Sequence, residues 1–347
     1  MSEQPTYPPK PRPGDRIAIV SPGFAGPGAY PLPYELGLRR LREEFGLEPV
    51  EYPTTRKLDS TPAERAADLH AAFADPSVTA VMATIGGSDQ ITVIPHLDAE
   101  LIRANPKPFF GYSDNTNLLD FLHRQGVVAY HGAALMTQLG RPLAVHPLTA
   151  ASLRAALFTG GAYELTEATD TSVTGGRWED PTTFTREPAV EPATGWHWHR
   201  PDQVVEGTTW GGNLEILHWM AAADRLRPAE EYTGGVLLLE TSEELPSGTE
   251  VFRMLRNLGE RGLLRRFPAV LVGRAQACSF DHPRDAAGRA RYRAEQRAAV
   301  LRALDAYAPA AMAVFDVDLG HTEPQLVIPY GGRVRIDGPA RRITVTY

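Results

Sequence analysis

The sequence predicts an α/β protein: an N-terminal doubly wound, mostly parallel sheet domain, then a C-terminal α/β domain with its own sheet. Three observations predict it. Between residues 15 and 160, short apolar runs alternate with segments of helical period, the pattern of parallel βαβ units. A stretch of different composition follows, and a second series of apolar runs begins after it. The length of 347 residues suits two domains better than one.

Residues 1–14 carry prolines at 5, 8, 9, 11 and 13 and read as an extended, frayed tail. Arg16–Ser21 is the first predicted strand. Leu38, Leu41 and Phe45 share one face of a helix that stops at Gly46. Leu47–Tyr52 is a second strand. Thr61-Pro62-Ala63-Glu64 is a helix start, with threonine as N-cap and glutamate closing a capping box. Thr79–Ile85, Pro108–Tyr112 and Val127–His131 are further strands, with a helix over 115–125. Residues 161–205 break the rhythm and are read as a linker plus a long loop bearing Trp178, Trp196 and Trp198. The C-terminal domain, 206–347, offers buried strands at Val236–Leu239, Ala269–Val272 and Ala313–Val317. Helices are expected near 213–222, 248–260 and 286–306, and a closing hairpin at the end.

Composition removes several function classes. Thirty-five Lys and Arg against 42 Asp and Glu leave a net charge of −7, without the basic face of a general nucleic-acid binder. A single cysteine, Cys278, excludes an intramolecular disulfide and a cysteine-cluster metal site. Neither a signal peptide nor an apolar run of membrane length is visible, so a cytoplasmic protein is expected.

Candidate chemistry collects at strand ends. Ser113 follows the apolar run PFFGY and precedes a helical segment. A serine at such a turn is lifted clear of the sheet, with helix-start N–H groups around it; the competing reading is an N-cap at Ser113 or Asp114. A G-x-S-x-G elbow would place glycine at 115, where this chain has asparagine. Gly86, Gly87 and Ser88 follow another strand and open a helix; they form either a close-approach loop for a ligand or a plain turn. Glu240 ends the run GGVLLLE, where a carboxylate can orient a histidine. Glu243 and Glu244, just beyond, read as solvated or capping residues. His321 ends AVFDVDLG and is a candidate general base; His131, after VVAY, is the rival base or a pocket wall. Trp196-His197-Trp198-His199 places two histidines on one strand face, but no third zinc ligand stands out. Its aromatics read better as a lid or stacking platform. Ser113, Glu240 and His321 together point to a serine hydrolase whose site joins both domains. A two-lobed small-molecule binding protein and a single-domain esterase are the alternatives.

At these residues the chain resembles the LD-carboxypeptidase family of serine peptidases, which includes the microcin C immunity proteins. The matching pieces are GDRIAIVSP, IGGSDQ, FFGYSDNTNLL, HG at 131–132, WGGNLEIL, LLLETSEE, LVGR and LGHTEPQLVIPYG. The resemblance implies Ser113 as nucleophile, Glu240 as acid and His321 as base, with the N–H of Asp114 and of Gly86 or Gly87 as oxyanion hole. It further implies substrate contacts at Ser88, His131 and Asn213, a homodimer, and no metal or other cofactor. Two substrate classes compete. One is a toxin that joins a peptide or amino acid to a nucleotide-like group; a loop tryptophan, Trp178 before Trp196, would then stack on the base. The other is a cell-wall tetrapeptide that loses its terminal D-alanine.

Overall fold

The computed structural model describes residues 5–174 and 176–347. Five strands form the parallel part of the first sheet: β1 (Arg16–Val20), β2 (Glu48–Glu51), β3 (Val78–Ala83), β4 (Phe109–Gly111) and β5 (Ala129–His131). Between and after them run helices α1 (Gly26–Ala29), α2 (Pro31–Glu43), α3 (Pro62–Ala74), α4 (Ala99–Ala104), α5 (Thr116–Arg124) and α6 (Pro147–Arg154). The spatial order β5-β4-β3-β1-β2 reverses direction between β1 and β3. At such a switch point the loops after neighbouring strands diverge and open a crevice at the carboxyl ends of the strands.

Strands β6 (Ala162–Glu164), β7 (Asp170–Thr174), β8 (Ala189–Pro192) and β9 (His197–His199) follow, then β10 (Val204–Asn213), β11 (Val236–Glu240), β12 (Ala269–Gly273) and β13 (Met312–Val317). Helices α7 (Leu214–Ala222), α8 (Gly248–Glu260) and α9 (Ala286–Tyr307) alternate with them, and β14 (Ile328–Tyr330), β15 (Arg333–Asp337) and β16 (Arg342–Thr346) end the chain. The second sheet has the order β6-β16-β15-β10-β11-β12-β13-β9. Its centre, β10 to β13, is parallel, and its flanks are antiparallel. β14 leaves this sheet and pairs antiparallel with β5 on the edge of the first.

Alternation along the buried strands builds two apolar clusters. Ala18, Val20, Val81 and Leu237 face one, and Ile17, Ile19, Met82 and Leu238 face the other. Each cluster thus runs from one sheet to the other, so the two sheets share their cores. The capping box at Thr61 and Glu64 is present, and a second one at Ser247 and Glu250 starts α8.

Three regions differ from the sequence reading. Residues 1–4 lie outside the described residues; from residue 5 on, the proline-rich start is extended but tied down, not frayed. Thr6 bridges Val127, the Arg333 N–H donates to Tyr7 Oη at 2.7 Å, and Lys10 Nζ donates to Tyr130 Oη and the Ala156 carbonyl. The segment read as linker and loop contains β6 to β9 and the start of β10. β6 and β9 are three residues long and their partners lie far along the chain, β16 for β6 and β13 for β9, while β7 and β8 pair with each other. No local period marks such strands. After β3, the expected helix is replaced by two short 3₁₀ turns at Gln90–Thr92 and Ile94–His96. Among the described residues no helix is long and apolar enough to cross a membrane.

Candidate active site

β4 delivers Ser113 to the crevice. Its φ is +63°, a left-handed conformation that costs a non-glycine residue energy and is typical of sharp functional turns. The chain then winds through a 3₁₀ turn, Ser113–Asn115, into α5. Asn115, where an elbow motif would have glycine, braces this turn. Its amide nitrogen donates to the Tyr112 carbonyl at 3.0 Å, and its oxygen accepts from Gln90 Nε2 at 2.9 Å.

Asp114 ties that turn to the one after β3. Its Oδ2 accepts the N–H groups of Asp89 and Gln90 at 3.0 and 2.9 Å. Burial pushes its carboxyl up to about 6, and those two N–H groups only partly offset the rise. Gly86 lies directly against Ser113: a Cβ there would come within 2.8 Å of Ser113 Cβ and 2.9 Å of Ser113 Oγ. Gly87, exposed at φ +151°, faces the Gly23–Phe24 backbone instead. Ser88 is exposed beside it.

Glu240 ends β11 and is buried. His321 reaches it from the loop after β13, with Nδ1 at 2.5 Å from Glu240 Oε2. The other ring nitrogen, Nε2, stands 3.1 Å from Ser113 Oγ. The approach depends on Gly320, at φ +88°, where a Cβ would sit 2.6 Å from Glu240 Oε2. Burial alone would lower the His321 imidazole, but its carboxylate neighbours, Glu240 foremost, raise it to about 9. Burial would likewise raise Glu240, but the His321 charge and hydrogen bond hold it below the usual glutamate value. An imidazole between a buried carboxylate and a hydroxyl is the arrangement that general-base activation of that hydroxyl requires.

The His321 loop is held from both lobes. Gln325 accepts the Ala133 N–H at 2.7 Å and donates its amide to the Gly320 carbonyl. Asp318, in a fully buried ion pair with Arg274 at 3.0 Å, also accepts the Ala168 N–H and the Trp196 indole N–H. Here Trp196 departs from expectation. It is buried in the core with its N–H spent on Asp318, so it braces the His321 loop and is not a free stacking surface. Trp178 is half-buried, edge-on to Tyr30 with ring centroids 5.6 Å apart.

His131 is fully buried, burial lowers it to about 4, and neither of its ring nitrogens has a hydrogen-bond partner among the described residues; the imidazole beside Ser113 Oγ is that of His321. Asn213 is buried beside Glu240 in the β10–β11 register and caps α7 through the Ile216 N–H. His197 pairs with Asp316 at 3.1 Å, and among the described residues no group of three or more His, Cys, Asp or Glu is placed to hold a metal ion. Glu243 is not simply solvated: its Oε2 lies 3.1 Å from His321 Nε2. Sequence reasoning had no local signal for Gln325, Asp318 or Glu243, whose partners Ala133, Arg274 and His321 are distant in the chain.

Comparison with known proteins extends these observations. Residues 17–132 match the LD-carboxypeptidase N-terminal domain, and residues 206–336 the LD-carboxypeptidase C-terminal domain. The chain is 30% identical over 334 residues to the probable murein peptide carboxypeptidase of Bacillus subtilis, covering 93% of this chain and 89% of that one. It is 26% identical over 287 residues to the microcin C7 self-immunity protein MccF of Escherichia coli, covering 82% and 78%. The fold matches a structure of MccF in complex with aspartyl sulfamoyl adenosine, with a TM-score of 0.85, 23% identity and 99% of both chains covered. The chain therefore belongs to the LD-carboxypeptidase family and is a serine carboxypeptidase-type hydrolase.

Proposed function

We propose that the hydrolase works through a Ser113–His321–Glu240 triad on an amide that joins an aminoacyl or peptidyl group to a nucleotide-like leaving group. The observation that carries this reading is the unbroken line from Glu240 Oε2 through His321 to Ser113 Oγ, at 2.5 and 3.1 Å. His321 takes the Ser113 proton while Ser113 Oγ attacks the carbonyl. Glu240 stabilises the imidazolium that forms. The N–H groups of Asp114 and Gly86, which flank Ser113, receive the developing oxyanion. His321 then protonates the leaving group, and water releases the acyl group by the same steps. Substrate contacts fall to Ser88, His131 and Asn213 around this centre and to Trp178 at its rim. No metal or organic cofactor enters the scheme.

The nucleotide-linked class is supported by relatives that bind such molecules: MccF structures hold aspartyl sulfamoyl adenosine and glutamyl sulfamoyl guanosine, and an MccF-like protein from Streptococcus pneumoniae holds AMP. The Bacillus subtilis relative favours a second reading, removal of a terminal D-alanine from a cell-wall tetrapeptide. A cytoplasmic homodimer belongs to the same proposal, on the family resemblance. Hydrolysis of an aminoacyl sulfamoyl adenosine and of an L,D-linked tetrapeptide, measured side by side, separates the two classes. Ser113→Ala is expected to lower kcat/KM on the preferred one by about 10⁴-fold or more with an unchanged melting temperature. Near-normal turnover by this variant would refute the triad.

A further inference from the structure

The outer nitrogen of His321 has two neighbours at the same distance. Ser113 Oγ is 3.1 Å from Nε2, and so is Glu243 Oε2. The two neighbours make opposite demands. To activate Ser113, Nε2 must be free to accept a proton; to satisfy a carboxylate, it must carry one.

Glu243 is set in this position by its turn. Ser242, two residues after Glu240, is fixed by the buried Glu215, whose Oε1 accepts the Ser242 N–H at 2.9 Å and its hydroxyl at 2.7 Å. The Glu244 N–H donates back to Ser242 Oγ at 3.2 Å. The turn thereby projects the Glu243 side chain, 63% exposed, over a His321 side chain that is only 8% exposed. The groups facing His321 are Glu240 from β11, Glu243 from the turn after it, Glu215 from α7, Tyr112 from the end of β4 with ring centroids 5.1 Å apart, and His131 from β5. The first three are carboxylates, and all three favour the imidazolium. Tyr112 is raised to about 12 and His131 is lowered to about 4, so both are neutral near pH 7.

We propose that Glu243 is a specificity-determining residue that selects substrates carrying a free ammonium group on the carbon next to the scissile carbonyl. This rests on the triad reading. An acyl group seated at Ser113 Oγ brings its α-substituent within a few ångströms of Nε2, which is where the Glu243 carboxylate lies. An α-ammonium pairs with that carboxylate and takes it from the imidazole. With one carboxylate neutralised, His321 sheds its proton more readily and becomes able to accept the one on Ser113. An N-acylated substrate lacks the charge and leaves His321 held by Glu243. The occupant favoured is therefore an aminoacyl conjugate, ahead of an N-capped peptidyl one.

The test compares wild type with Glu243→Gln on alanyl and N-acetyl-alanyl sulfamoyl adenosine. Wild type is expected to prefer the free amine by about tenfold in kcat/KM, the equivalent of one pKa step. In Glu243→Gln the preference collapses because the two substrates move in opposite directions: the free amine slows and the acetylated form speeds up. A second measurement uses an uncharged fluorophosphonate. Ser113 Oγ bonds to phosphorus, fluoride leaves, and the hydroxyl proton passes to His321. Glu243→Gln should react about threefold faster or more at pH 7, with the midpoint of its pH profile moved down. A preference unchanged in the variant, a parallel loss on both substrates, or an unaltered inactivation profile overturns the role of Glu243. Should neither conjugate be cleaved, the fluorophosphonate profile decides. Labelling that persists in Ser113→Ala, by contrast, strikes the triad itself.

Discussion

The two halves of the site are positioned by different means. Ser113 is placed by its own neighbourhood: a buried strand, a left-handed residue, and a turn braced by Asn115 and Asp114. His321 is placed by contacts from across the molecule: Gln325 to Ala133, Asp318 to Arg274, and Asp318 to Trp196. The difference separates what a substitution can reach. The hydroxyl half is sensitive to its immediate backbone, whereas the imidazole half is sensitive to residues that never approach substrate.

The sharpest way to break this contrast is Asp318→Asn. Removing one charge of a buried ion pair typically costs about 3–5 kcal/mol. Denaturant unfolding should register that loss, and kcat should fall with it. A variant of unchanged stability would mean that the His321 loop does not depend on Asp318. Trp196→Phe is the next largest. It keeps an aromatic ring in the core, though a smaller one, and removes the indole N–H bonded to a charged acceptor, about 1.5–3 kcal/mol. We expect kcat to drop several-fold with KM unchanged. A rise in KM at constant kcat would instead restore Trp196 as a ligand platform. Thr61→Ala, at the capping box of α3 in the first lobe, is the smallest: about 1 kcal/mol of stability. Its activity at 25 °C should match wild type; a fall would show that the Ser113 half also depends on distant structure.

The same contrast explains what the sequence could reveal. Apolar runs and capping residues marked β1, β3, α3, α8 and the strand ends that carry Ser113, Glu240 and His321, because each signal is local. β6 and β9 were hidden, since three residues become a strand only when a distant partner supplies the ladder. Trp196 was misread for a related reason. An aromatic among polar residues looks exposed until a buried acceptor, Asp318, more than a hundred positions away, claims its N–H. Glu243 was read as a solvent-facing acid because nothing in ETSEE announces a histidine opposite. Asn115 was noted only as a missing glycine, yet its side chain does the bracing that the elbow turn needs.

One strand has a consequence for biosynthesis. Because β14 completes the edge of the first sheet, the half that carries Ser113 gains its last strand only once residue 330 has been synthesised. His321 emerges just before it. In a nascent chain the Ser113 half therefore receives its edge strand only after His321 has also been made.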